Sequence, residues 1–335
     1  MTGRSRASWL GWDRGVVVLL VLTVLVGGRV SPEFGSATNL GFVLADIGEI
    51  FLVALPMTLV IMTGEIDLSV ASTTALAGCV LGRVWHLTGS MPLACLAAVG
   101  AGLVCGAVNG FLVTRLGLGS LAVTIGTLGL YRGLCYALLG DSTVADFPAG
   151  WTDLGYSSVP GTQLPWSTPL LVVLALAFGV VLHLTRSGRW MVAIGQSAEA
   201  ARFAGVPVAR VKFALFALTG AVCGLASIVY DLRFASARPD AAVGLELAVI
   251  ASALFGGVSI FGGVGTVWGV CAAVLFLGAT RSLLVLRDVP SNALTIITGG
   301  LLLASVMVPV AAGRLGGLWS ARVTRPPAPA AASET

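Results

Sequence analysis

Apolar runs long enough to cross a bilayer recur along almost the whole of this chain, and that recurrence constrains its fold more than any single motif does. A hydrocarbon core needs roughly 20 mostly apolar residues per helix. Runs of that kind place spans at 15–31, 40–62, 68–88, 92–114, 120–139, 168–186, 211–231, 243–262, 265–285 and 291–312. The chain is 57% hydrophobic and 10% charged, against about 25% charged in soluble domains, so little is left for a soluble unit. The expectation is an all-α polytopic membrane protein with about ten transmembrane helices, some of them broken. A cytoplasmic segment, 1–14, precedes a single transmembrane domain, 15–312, and a Pro/Ala-rich cytoplasmic tail, 313–335, is expected to be disordered. The Gly15–Gly28 run behind Arg4, Arg6 and Arg14 imitates a signal peptide. It reads instead as the first span, because similar segments follow and no small-residue cleavage site does.

Charge sets the orientation. The segment 140–167 carries Asp141, Asp146 and Asp153 without a Lys or Arg, whereas 187–212 carries Arg189, Arg202, Arg210 and Lys212. Positive loops stay on the cytoplasmic side, which puts 187–212 inside, 140–167 outside and both termini inside. Arg314, Arg322 and Arg325 agree with this; Arg233, Arg238 and Arg287, on outer loops, count against it. Trp9, Trp12, Trp85, Trp166, Trp190 and Trp319 fall near span ends, as interfacial anchors do. The spacings Gly102/Gly106, Gly106/Gly110 and Gly265/Gly269 allow close helix approach. The net charge of +4 suits anionic lipid headgroups, and no basic, aromatic-laced surface suggests nucleic acid.

Several chemistries are missing. No Gly-x-x-x-x-Gly-Lys-Ser/Thr segment is present and Lys212, the only lysine, follows a valine, so ATP binding by that route is excluded. His86 and His183 form no metal-ligand spacing, and Ser259 lacks the closing glycine of a nucleophile elbow. The six cysteines lie in apolar stretches without a Cys-x-x-Cys pair and read as packing residues. No enzyme site, metal or cofactor is expected.

Three segments carry chemistry. Thr63-Gly64-Glu65-Ile66-Asp67-Leu68-Ser69-Val70-Ala71 sets two acids between uncharged runs, where a carboxylate needs a partner, a wet cavity or a purpose. Gly64 predicts an interrupted helix there and Pro56 a kink on the approach. Glu65 and Asp67 are two apart and would not share a helix face; one is expected to pair with Arg132, which lies inside the fifth span, while the other caps a half-helix. In the inside loop, Ser197 is an N-cap, Glu199 sits in the first turn, and Gly205 with Pro207 stops a two-turn helix. Those residues fit a capped surface helix and a docking knob for a cytoplasmic partner equally well. In the second reading Ala200 and Ala201 permit close approach and Phe203 fills a groove. Finally, Glu246 opens an apolar helix that ends in Gly256-Gly257 and Gly262-Gly263, glycine pairs that suit a tight cytoplasmic turn or a close helix approach.

Together these segments resemble the membrane permease of bacterial ABC importers for sugars, the ribose/xylose/arabinose/rhamnose/autoinducer-2 group. The first is similar to that family's Thr-Gly-Gly-Ile-Asp-Leu-Ser-Val-Gly-Ser motif, with Glu65 and Ala71 in place of its second and third glycines. The second match is Asn109-Gly110, then Val123-Thr124-Ile125-Gly126-Thr127 and Tyr131-Arg132-Gly133, with Gly119-Ser120 where the family usually has a proline. The third is Glu246–Gly265, where Ala248 replaces an acid common in the family. Glu199-Ala200-Ala201-Arg202-Phe203-Ala204-Gly205 resembles the loop that engages ATPase subunits, without the longer form of that motif.

The resemblance covers about 40–312 and implies a permease in the bacterial cytoplasmic (inner) membrane. It implies an ABC ATPase subunit inside, an extracytoplasmic sugar-binding protein outside, and a second permease copy or related permease. The coupling residues would be Glu199, Ala200, Ala201, Arg202, Phe203 and Gly205; the pathway or gate would involve Glu65, Asp67, Ser69, Asn109, Thr124, Thr127, Arg132 and Glu246. Glu65, with Ala237-Arg238-Pro239-Asp240 ahead of Glu246, leans toward the rhamnose or autoinducer-2 branch. The rival reading is an ion-coupled secondary transporter, which broken helices with acids also suit.

Overall fold

The computed structural model describes residues 4–290 and isolated positions between 292 and 307. The predicted 291–312 span, apart from those positions, and the 313–335 tail lie outside the described residues. Helix dominates: α1 (Arg4–Val30), α2 (Ala37–Asp46), α3 (Gly48–Met62), α4 (Val70–Thr88), α5 (Met91–Thr114), α6 (Ser120–Leu139), α7 (Ala149–Tyr156), α8 (Thr168–Leu184), α9 (Arg186–Gln196), α10 (Ala198–Phe203), α11 (Val208–Arg233), α12 (Leu245–Phe255) and α13 (Val267–Val285). Among the described residues α5, α6, α11 and α13 can each cross a membrane by length and composition, and taking the bent pairs α2–α3 and α8–α9 as one span each gives up to six. The chain is an integral membrane protein built from helices.

Helix α3 is apolar on every side and is buried along nearly its whole length, as expected of a helix surrounded by others. The predicted span 40–62 is divided, but not at Pro56. Helix α3 runs through that proline, and a 52° bend falls between α2 and α3 at Ile47. Predicted span 243–262 shortens to α12, because backbone from Gly256 onward turns away through Gly257 (φ 89°), Gly262 (φ 82°) and Gly263 (φ 75°), angles that disfavour any residue with a Cβ.

Helices α5 and α11 form the tightest pair. A Cβ on Gly102 would run into the carbonyl of Gly220, and one on Gly106 into that of Phe216. The predicted small-residue spacing on α5 therefore brings two backbones together. Gly265 lies in the turn before α13 and takes no part in such a seam, while Gly269 meets the carbonyl of Gly256. The six cysteines are unpaired, with Cys79, Cys105, Cys135 and Cys223 buried.

The two hydrophilic segments sit at opposite ends of α11. Residues 187–207 precede its start; beyond its far end, Ala237 pairs with Val144 in an antiparallel bridge. Its 26 residues separate them by about 39 Å at 1.5 Å per residue. Arg233, the outer-loop cation at odds with the charge rule, faces Glu49 (3.4 Å) and Asp46 (3.9 Å), and Asp46 is also 3.2 Å from Arg281. Helix α7 lies in the acidic segment, where sequence periodicity predicts only loop.

Candidate functional site

The linker between α3 and α4, residues 63–69, is where most of the predicted pathway residues meet. Helix α3 closes with the Thr63 hydroxyl donating to Val60 O (2.8 Å), and Gly64 at φ 80° turns the chain out of the helix. The backbone is then non-helical until Ser69. The predicted interruption is present, and its polar groups are satisfied from within.

Asp67 is 2% exposed. Its Oδ1 accepts from the Ser69 amide (2.9 Å) and the Ser69 hydroxyl (2.7 Å). The Asn109 amide on α5 donates in turn to Ser69 Oγ (2.8 Å), and the Tyr131 hydroxyl on α6 lies 3.2 Å from Asn109 Oδ1 and 2.9 Å from Cys105 O. Burial pushes the Asp67 carboxyl above the usual range, with the Ser69 and Asn109 hydrogen bonds pulling against it. On the other side of the linker, the Ile66 amide donates to Ser120 Oγ (3.3 Å) and the Thr124 hydroxyl lies 3.3 Å from Ile66 O. Thr124 also donates to Ser120 O (2.8 Å), and Thr127 makes only a long bond to Thr124 O (3.4 Å). Asp67, Ser69, Asn109, Thr124 and Thr127 are all buried. Asp67, Ser69, Asn109 and Thr124, with Ser120, clamp the linker to α5 and α6, while Thr127 bonds only within α6.

Glu65 points the other way and pairs with Lys212 in the first turn of α11, each side chain 15% exposed. Arg132 therefore does not fill the role expected of it. Its Nη1 donates to the carbonyls of Pro239 (2.5 Å) and Ala241 (2.8 Å), holding the 234–244 loop against α6. Asp67 does not cap α4 either: it bonds to Ser69, the residue at the N-cap, and no side chain accepts from the first amides of α4. Glu246 is separate from both groups: it sits in the first turn of α12 with its Oε2 buried and unbonded.

A backbone junction joins the linker to the inside loop. The Gly263 amide donates to Met62 O (2.9 Å), and a Cβ on Gly195 would strike both Met62 O and Gly263 N. Gly195 belongs to α9 and is followed directly by the short helix α10. There the Ser197 hydroxyl accepts from the Ala200 amide (3.2 Å), and Gly205 at φ 80° ends the turn, as the cap signals predict. Ala201 is buried against Ile194, Val206 and Val208, so it seats α10 on the protein and is not free to meet a partner. Glu199, Ala200 and Arg202 are exposed, and Phe203 stands out at 85% exposure.

Sequence reasoning missed Lys212 as a partner of Glu65, and Ser120 and Tyr131 as parts of the clamp. Lys212 carried one signal, as the sole lysine of a chain with an acid near a span end. Tyr131 belongs to the second matched motif and Ser120 stands where that motif departs from the family's proline, but nothing in their spacing assigns them contacts. Asp231 on α11, buried with its Oδ2 unbonded and facing Gly78 of α4, also lies outside the predicted set.

Residues 39–317 match the family described as branched-chain amino acid transport system / permease component. The chain is 34% identical over 303 residues to the autoinducer 2 import system permease protein LsrD of Yersinia pseudotuberculosis, covering 89% of this chain and 90% of the relative. It is 36% identical over 293 residues to the L-arabinose ABC transporter permease protein AraH of Azospirillum brasilense, covering 87% and 85%. The LsrD protein of Escherichia coli strain K12 is 32% identical over 303 residues, covering 89% and 91%. A buried helical scaffold, an interrupted and internally clamped α3–α4 linker and a match of this extent agree: the chain belongs to the branched-chain amino acid transport system / permease component family, a family of transport components and not of enzymes.

Proposed function

We propose that this chain is the membrane permease subunit of an ATP-driven ABC importer that moves a small sugar into the bacterial cell by alternating access. The substrate would be a pentose, rhamnose or an autoinducer-2-like compound; the names of the arabinose and autoinducer-2 relatives support the first and the last of these. In this reading about ten helices span the inner membrane with both termini in the cytoplasm. An ABC ATPase docks inside, a sugar-binding protein docks outside, and a second permease completes the pathway between two copies.

The observation that carries the reading is the double connection of the α3–α4 linker region to the two helices that flank α10, α9 through Gly195 and α11 through Lys212. Helix α10 presents Glu199, Arg202 and Phe203 outward from a fixed seat. Behind it, the Gly195–Met62–Gly263 junction and the Glu65–Lys212 pair both end on the linker. A push on α10 by a closing ATPase would reach residues 63–69 by both routes. Asp67, Ser69, Asn109 and Thr124 would keep the linker rigid enough to move as a unit. Arg132 and Glu246 would act at the far side, on the outer loop and the start of α12. Sugars are neutral, so acids here serve as anchors and need not be ligands.

The test is capture of the ATPase subunit with the tagged chain from mild detergent, repeated with Glu199→Arg. Co-purification abolished by the variant supports the reading. A folded preparation without an ATPase, whose uptake in liposomes collapses with the ion gradient, would overturn it in favour of an ion-coupled transporter.

A further inference from the structure

Arg115, Arg202 and Arg210 converge where the C-terminal end of α5 meets the turn between α10 and α11. They line a cleft of about 830 Å³ with Phe111 and Phe213. All three guanidinium groups are on exposed residues, and among the described residues none has a carboxylate within ion-pair distance. The neighbouring cation, Lys212, is already taken by Glu65. Three cations gathered without a counter-ion repel one another, so an anion placed among them relieves that repulsion. An arginine fork matches the oxygens of a phosphate in particular.

The walls say more about the occupant. Phe111 is exposed on α5, and Val104 and Val108 continue the same exposed apolar face away from the cleft, at the spacing that keeps residues on one side of a helix. Phe213 lies exposed across from it at the start of α11. A basic cleft thus stands at the end of an apolar stripe. A carboxylate from a soluble partner would use the arginines and leave the stripe bare. A molecule with a phosphate head and a hydrocarbon tail would use both.

We infer that this cleft binds the headgroup of an anionic phospholipid, with its phosphate between Arg115 and Arg210, Arg202 at the rim and an acyl chain along Phe111 and Val108. Basic pockets between helices at the cytoplasmic face are suited to such headgroups. The inference rests on the chain being a membrane protein and does not need the ATPase to dock on α10.

The full chain in nonionic detergent would be offered phosphatidylglycerol, phosphatidylcholine or inorganic phosphate, with bound lipid counted by native mass spectrometry. The expected result is retention of phosphatidylglycerol over phosphatidylcholine. Each of Arg115→Gln and Arg210→Gln should weaken it about fivefold, and the double variant about 25-fold. Phe111→Ala with Phe213→Ala should weaken lipid retention as well, while Arg189→Gln, a cation of the same loop outside the cleft, should leave it unchanged. The single arginine variants decide the matter if the double variant fails to fold. Equal retention of the two lipids, or arginine variants that hold phosphatidylglycerol as well as the parent, would overturn the proposal. So would inorganic phosphate displacing the lipid at equal concentration with the phenylalanine variants silent, which would mark a site for a free anion.

Discussion

At Asp67 the chain buries a carboxylate and supplies its donors from two residues further along. Ser69 is the hinge of that arrangement, because its hydroxyl donates to Asp67 and accepts from Asn109. Ser69→Ala would strand the buried Asn109 amide and leave Asp67 Oδ1 with the Ser69 backbone amide as its remaining donor. The expected loss is about 1–3 kcal/mol for each group left without a partner, read as a lower midpoint in thermal unfolding. Thr127→Val is the contrasting case: its hydroxyl makes only one bond of 3.4 Å, so the change should cost less than about 1 kcal/mol. The Glu65–Lys212 pair calls for a different experiment. Its side chains are only 15% exposed, so the pair lies between surface bridges worth about 0–1 kcal/mol and buried ones whose breakage costs about 3–5 kcal/mol. Glu65→Lys and Lys212→Glu should each lower uptake by setting like charges together, and the double exchange should restore a large part of it. Uptake equal to the parent in either single variant would show that the pair carries no force.

Among the elements, α5 and α11 depend on the absence of side chains more than on their presence. Gly106→Ala would drive a Cβ into the carbonyl of Phe216 and should destabilise the protein by about 1–3 kcal/mol, the usual range for overpacking. Gly126→Ala on α6, where an added Cβ meets nothing, should be neutral or stabilising by up to about 1 kcal/mol through helix propensity alone. Denaturation of the two variants side by side separates these cases. How much of this could be read from sequence differs between elements for physical reasons. The C-terminal edge of α5 follows from Arg115, which closes an uncharged run at Thr114, and α6 starts just after the turn signal Gly117-Leu118-Gly119, although Arg132 lies within it. The bend at Ile47 has only Gly48 beside it as a sequence signal, one glycine among 44, and α2 there packs against α13, a tertiary fact. The predicted span 243–262 exceeds α12 because hydropathy does not register Gly257, Gly262 and Gly263, all at positive φ, as a break. The clamp residues were visible as a motif, but the partner of Glu65 was not: Lys212 lies 147 positions away, and local spacing says nothing about such a distance.

For the molecule as a whole, what matters is whether the inside loop and the linker move together. Two connections join them, and they differ in stiffness. The ion pair between Glu65 and Lys212 joins two flexible side chains and can stretch. The junction of Met62, Gly195 and Gly263 is backbone against backbone, with no side chain to absorb a displacement. Packed interfaces of this kind switch between arrangements and do not deform gradually. A Cβ at Gly195 has no room at all, since Met62 O and Gly263 N already occupy its place, so Gly195→Ala must separate α9 from the linker. The expected outcome is selective. An assembled complex bearing Gly195→Ala should still capture its ATPase, because Glu199, Arg202 and Phe203 stay exposed on α10, yet its ATP hydrolysis should no longer be matched by uptake. The measurement is the ratio of solute imported to ATP hydrolysed in proteoliposomes, with ATPase capture as the control for docking. A fall in that ratio with capture intact would place the stroke on the backbone junction. An unchanged ratio would move it to the Glu65–Lys212 pair, and a single charge reversal at that pair would then have to lower it instead.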